Sequence, residues 1–197
     1  MRRFAAKTTI FIISFLSLIS PSHSQDPLQF IKNVTQEASG ILKNEIPKEQ
    51  KIDKLKLLAE ESVDIKGVGL YSLGKYRKLI SSDKLNEYEI LFKQYFLKSF
   101  SSRLSEYSDP KINVVSQEKI NKNYTIVSSI LVADEKRPEI KIDWRVYTKF
   151  EDKPLIRDLI IEGLSLARTQ KEEFSSVIKG ADGDINILFN NLREFVK

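Results

Sequence analysis

Tyr88, Leu91, Phe92, Tyr95, Phe96, Phe100, Leu104 and Tyr107 recur at the spacing of one helical face. Six of the eight are aromatic. No other stretch of the chain is so strongly periodic, so a long helix over residues 84–107 is the element around which the rest must pack. Its rings make a deep apolar wall. Ser81, Ser82 and Asp83 offer caps at its start, and Ser108-Asp109-Pro110 ends it.

The segments before it are also helical. Asp26-Pro27 has a capping side chain followed by a first-turn proline, and Phe30, Val34, Ala38, Ile41 and Leu42 follow at helical spacing. Pro47 opens a second helix carrying Ile52, Leu55, Leu58 and Ala59. After residue 110 the period changes to two. Residues 112–118, 123–133, 139–149 and 154–163 alternate and are rich in Ile, Val, Tyr and Thr, which predicts a four-stranded antiparallel meander. Ile140, Ile142, Trp144 and Val146 share one face of the third strand, whereas the second strand is apolar on both faces. A sheet wet on one side should alternate cleanly, so partial cover on both sides is expected. Thr169 and Glu172 have capping-box spacing before Phe174, Val177 and Ile178. A last helix carries Ile185, Leu188, Phe189, Leu192 and Val196. The predicted class is α+β, helices packed on a curved four-stranded antiparallel sheet.

The chain opens MRRFAAKTTIFIISFLSLISPSHSQ, a basic start, an uncharged run over Thr8–Ser20, and small residues Ser22 and Ser24 before Gln25. This is the layout of an export signal at 1–24, with a cut before a single domain at 25–197. The uncharged run is shorter than the roughly 20 residues a membrane span needs. Removing the segment takes away three cations and no acid, so the net charge of +5 falls to +2, a weak basis for nucleic-acid binding. It also removes His23, the single histidine of a chain without cysteine. Imidazole or thiolate metal sites, serine–histidine and cysteine–histidine catalysis and disulfides are then excluded. A cysteine-free exported protein fits a bacterial periplasm better than a eukaryotic secretory route, where Asn33 and Asn123 would be glycosylation acceptors.

Three motifs suggest chemistry. GVGLYSLGKYRK at 67–78 has the glycine–lysine spacing of a phosphate loop, but Tyr76 stands where a magnesium-binding hydroxyl is required. No buried strand precedes it, and Leu70, Leu73, Tyr76 and Leu79 read better as a helical stripe, with glycines permitting close approach. Gly163-Leu-Ser165-Leu-Ala167 resembles a nucleophile elbow, yet no histidine is at hand, so a turn serine bonding backbone is expected. Asp158 and Glu162 would lie about 13 Å apart on one strand face, beyond the roughly 5–10 Å of paired glycosidase carboxylates. Surface salt bridges to Arg145 and Arg157 are the simpler expectation.

LGKY at 73–76, LFKQYFLKSFSSRLSEY at 91–107, WRVYTK at 144–149 and LIRDLIIEGLSLARTQKEEFSSVI at 155–178 occur in this order. Together they resemble the MlaC family, the periplasmic phospholipid-binding proteins of the maintenance-of-lipid-asymmetry system, also called toluene-tolerance auxiliary proteins. The passage D-x-x-x-E-G-x-S, at Asp158, Glu162, Gly163 and Ser165, is the most specific part. Arg77 departs from the Trp that many members carry there.

The resemblance implies a monomeric carrier, not an enzyme, that encloses the acyl chains of a phospholipid between helices and sheet. Its partners would be an outer-membrane lipoprotein–porin complex and an inner-membrane ABC transporter with a ring of lipid-binding domains. No cofactor or metal is implied beyond the phospholipid cargo. The candidate wall is Tyr88, Phe92, Tyr95, Phe96 and Phe100 on the long helix, with Ile126, Ile130, Ile142, Trp144, Val146 and Leu159 on the sheet. Leu70, Leu73 and Phe174 would narrow its mouth or floor. Two other readings of the residues stay open: a hydrolase or isomerase using carboxylates, and an adaptor in which the aromatic stripe is ordinary core.

Overall fold

Asp26 begins the fold by accepting the N–H of Gln29 at 3.2 Å, which caps a helix whose first residue is Pro27. The computed structural model describes residues 25–135, 137–150 and 153–197; the expected signal at 1–24 lies outside them. Among the described residues, four helices come first: α1 Pro27–Lys43, α2 Lys48–Ser62, α3 Ile65–Leu73 and α4 Ser82–Leu104. Five strands follow, β1 Ile112–Asn121, β2 Tyr124–Leu131, β3 Ile140–Tyr147, β4 Leu155–Ile161 and β5 Leu164–Ser165. Helices α5 Leu166–Gly180 and α6 Asn186–Val196 close the chain. The strands form one antiparallel meander in chain order. No helix of the described residues is long and apolar enough to cross a membrane.

Ser81 caps α4 through the Lys84 N–H, and the helix stops three residues short of Tyr107. The phosphate-loop match lies inside α3 and a following 3-10 turn, Gly74–Lys78, so no strand-to-helix loop exists there. Gly69 serves packing: a Cβ there would sit 2.6 Å from Cδ1 of Phe92. Its carbonyl also accepts the Tyr88 hydroxyl at 2.9 Å. The expected stripe ends at Tyr76. Gly74 has φ +59 and stops the helix, the period tightens in the 3-10 turn, and Leu79 swings out to 73% exposure.

The four expected strands are five. Glu162 (φ 49) and Gly163 (φ 83) form a two-residue turn that returns Leu164 and Ser165 onto β4. A glutamate rarely adopts positive φ, so the alternating pattern ran on through the turn. This hairpin also moves the start of α5. Ser165 is its cap, accepting the Arg168 N–H at 3.1 Å. Thr169 lies within the helix, donating to the Ser165 carbonyl, and the expected capping box does not form.

Register settles which face of the sheet is inside. Thr125, Val127, Ser129 and Leu131 of β2 are buried and pair with Val146, Trp144, Ile142 and Ile140 of β3. Phe30 and Ile31 of α1 pack on this inner face with Val127, Trp144, Val146 and Ile156. Ile126 and Ile130 point the other way, opposite Arg145 and Lys141. That outer face is half-exposed, and its residues shelter one another; the Arg157 guanidinium lies 3.5 Å over the Tyr147 ring. A second core joins α2 through α6 around Leu73, Tyr88, Phe92, Phe174 and Phe189.

Candidate functional site

The interior holds two apolar clusters, one on the sheet with α1 and one among the helices. Between them lies a cavity of about 380 Å³. Helix α4 turns Phe92, Tyr95, Phe96 and Phe100 toward it, and the sheet contributes Ile142, Trp144, Ile156, Leu159 and Ile161. Val34, Ala38 and Leu42 of α1 and Leu58 of α2 close the remaining side. The space persists because many wall residues are small. Ala38, Ser39, Ala59, Ser62, Ser99 and Ala167 stand where a filled core would need larger side chains.

The wall is held from behind. Phe96 stacks on Phe100 at 5.5 Å between centroids, and Phe92 meets Phe174 edge-on at 6.2 Å. Trp144, 9% exposed, donates its indole N–H to Ser129 Oγ at 2.8 Å, which explains a hydroxyl on the buried face of β2. Ser129 in turn donates to the Ile142 carbonyl at 3.2 Å. The sheet wall is therefore locked in rotamer and register.

Four charged residues border the cavity; Arg157 is half-buried and Asp158 buried, and the two exposed ones, Arg103 and Glu173, both act on Tyr95. Arg103, Leu166 and Glu173 are the exposed members of the wall, and they mark its mouth between the C-terminal half of α4 and the start of α5. The Tyr95 hydroxyl bridges the two helices there, donating to Gln170 Oε1 at 2.8 Å, and Gln170 Nε2 donates to Glu173 at 3.1 Å. Burial and then the nearby Glu173 carboxylate push the Tyr95 phenol above its usual range, so it stays a donor.

Of the fourteen candidate wall residues, Phe92, Tyr95, Phe96, Phe100, Ile142, Trp144 and Leu159 border this cavity. The others are elsewhere. Leu73, Tyr88 and Phe174 lie in the helical core, and Val146 lies in the core between α1 and the sheet. Leu70 is half-buried on α3 away from the wall, and Ile126 and Ile130 are on the outer sheet face. Apolarity ranked those two isoleucines above Thr125 and Ser129, but pairing with β3 puts the hydroxyl-bearing face inside. The contribution of α1 was missed, although Val34, Ala38 and Leu42 belong to the apolar stripe visible in its sequence.

The carboxylates read as candidate acids serve the scaffold. Asp158 is buried rather than at the surface. It accepts the Ser165 hydroxyl at 2.6 Å and the Ala167 N–H at 3.0 Å, and lies 3.4 Å from Arg145. Arg157 pairs instead with Asp64 at 2.6 Å, which caps α3. Asp143 accepts from Ser128 at 2.7 Å and meets Lys141 at 3.2 Å, while Glu162 accepts the Lys141 N–H. Ser165 is thus a cap and a donor, as expected of a turn serine.

A solved structure from Ralstonia solanacearum, described as a phospholipid-binding protein in complex with a phospholipid, has the same fold. It superposes with a TM-score of 0.73 over 87% of this chain and 97% of that chain, at 17% identity. The family model described as MlaC protein matches residues 32–194, a span from the first helix to the last. The chain belongs to the MlaC family.

Proposed function

We propose that this chain is a periplasmic phospholipid carrier that takes acyl chains into the cavity between α4 and the sheet and leaves the headgroup at the charged mouth. It ferries lipid between an outer-membrane lipoprotein–porin complex and an inner-membrane ABC transporter bearing lipid-binding domains. It acts as a monomer and performs no reaction on its cargo. The observation that carries this reading is the cavity itself, an apolar space with its charged exposed residues gathered at one end. A volume of about 380 Å³ lies within the roughly 300–1,000 Å³ of small-molecule sites. Enclosure is what a carrier must supply, since each methylene exposed to water costs about 0.8 kcal/mol. The Ralstonia relative, bound to a phospholipid, supports the same assignment. Net direction comes from the partners, because differential affinity is all a carrier itself contributes.

Trp144 makes the test direct, being the one tryptophan of the chain and part of the wall. Vesicles whose phospholipids carry brominated acyl chains should quench its emission as lipid enters. Organic extracts of the purified protein should contain phospholipid in stoichiometric amount. Unquenched emission together with lipid-free extracts would exclude the carrier.

A further inference from the structure

The mouth carries two charges that no ion pair of the described residues neutralises. Among the described residues the Arg103 side chain makes no hydrogen bond and no ion pair, although the fold pairs Arg137, Arg145, Arg157 and Arg193 with carboxylates. Arg103 shares one face of α4 with Ser99 and Tyr95, one and two turns back, and all three border the cavity. Helical side chains lean toward the N-terminus, so its guanidinium is carried over the wall rather than away from it. Across the mouth, Glu173 of α5 makes no ion pair among the described residues. It is steadied through one oxygen by Gln170, which Tyr95 holds in turn.

We propose that Arg103 and Glu173 form a headgroup site selective for zwitterionic phospholipids ending in a primary ammonium. This rests on the carrier reading above and adds the headgroup class to it. The guanidinium presents a planar set of donors to the lipid phosphate, a geometry that lysine does not reproduce. The carboxylate accepts hydrogen bonds from the ammonium, and its remaining oxygen is not engaged by a side chain of the described residues. A glycerol headgroup would give Glu173 no cation to meet. A quaternary ammonium has no N–H to donate, and its usual recognition is an aromatic cage. Both charges are solvent-reached, so they select among headgroups while the acyl chains provide most of the affinity.

The protein is stripped of lipid and equilibrated with vesicles containing equal amounts of phosphatidylethanolamine and phosphatidylglycerol, and bound lipid is measured by mass spectrometry. The native chain should enrich phosphatidylethanolamine by roughly two- to fivefold, the range of a solvent-reached charge pair. Glu173→Gln should abolish that enrichment, bringing the two phospholipids to equal amounts in the bound fraction. Arg103→Gln should lower the phospholipid load by a similar factor relative to its uptake of diacylglycerol, which has no phosphate. Equal composition in all three proteins, or equal loss of diacylglycerol and phospholipid in Arg103→Gln, overturns the headgroup site and leaves the carrier standing. A native chain that takes up neither lipid overturns the carrier reading itself.

Discussion

Substituting Gly69 with alanine presses on the cavity wall from behind. The added Cβ would lie 2.6 Å from Cδ1 of Phe92, and ordinary contact begins at 3.4 Å, so the ring must retreat by 0.8 Å (the difference of the two). The ring is already bounded by Tyr88 at 5.7 Å, Phe174 at 6.2 Å and Phe96 at 6.3 Å between centroids. The cavity is the side on which it can move. Overpacking costs about 1–3 kcal/mol in a filled core. Replacing a helical glycine by alanine returns up to about 1 kcal/mol. The lipid-free protein should therefore lose roughly 0–2 kcal/mol in urea unfolding. Lipid binding should suffer more. If the advancing ring displaces one or two methylenes of cargo at about 0.8 kcal/mol each, affinity falls by roughly four- to fifteenfold. Titrating the stripped variant with brominated vesicles, followed by Trp144 quenching, measures that loss. A variant that loses more than about 3 kcal/mol of stability yet binds lipid unchanged would show that Phe92 has no free side, and the cavity argument would fail at its centre.

Three other changes test neighbouring claims. Gly40→Ala, on exposed α1 surface where a Cβ meets nothing within 4 Å, should raise unfolding free energy by about 0.5–1 kcal/mol and leave lipid uptake alone. Ser129→Ala removes the acceptor of the Trp144 indole and should cost about 1–3 kcal/mol with an altered emission maximum; unchanged emission would mean that the bond does not hold the ring. Tyr88 is pushed above its ordinary value of 10.0 mainly by burial, then by Tyr95. Its unfolded form therefore loses the proton first: stability is intact below pH 10 and declines as pH rises beyond it, by up to about 1.4 kcal/mol per unit. Tyr88→Phe should lose the bond to Gly69, about 1 kcal/mol at neutral pH, and show a shallower alkaline decline in urea titrations. An identical slope in both proteins would refute that assignment.

Local chemistry was legible wherever a few adjacent residues settle it. The caps at Asp26 and Ser81 and the aromatic face of α4 follow from spacing and side-chain type, because a helix end or a stripe depends on neighbours within one or two turns. The Glu162–Gly163 turn was not legible, since a glutamate at positive φ is held there by the pairing of Leu164 with Ile161. Asp158 reads as a surface acid in the sequence because its partners, Ser165 and Ala167, come to it only when β5 folds back.

The wall divides in the same way. Phe92, Tyr95, Phe96 and Phe100 could be named from one helix, and Ile142 and Trp144 from one strand. Whether Ile126 or Val127 faces inward depends on the register of β2 against β3, which a strand apolar on both faces does not reveal. The sequence alone determined most of the elements, the apolar stripes of the helices and the family likeness, all short-range properties of residue type and order. Tertiary structure alone decided that small residues from α1, α2, α4 and α5 converge on one space, and that Arg103 and Glu173 both border it. Empty volume belongs to no residue; it is what remains when distant segments pack against other things.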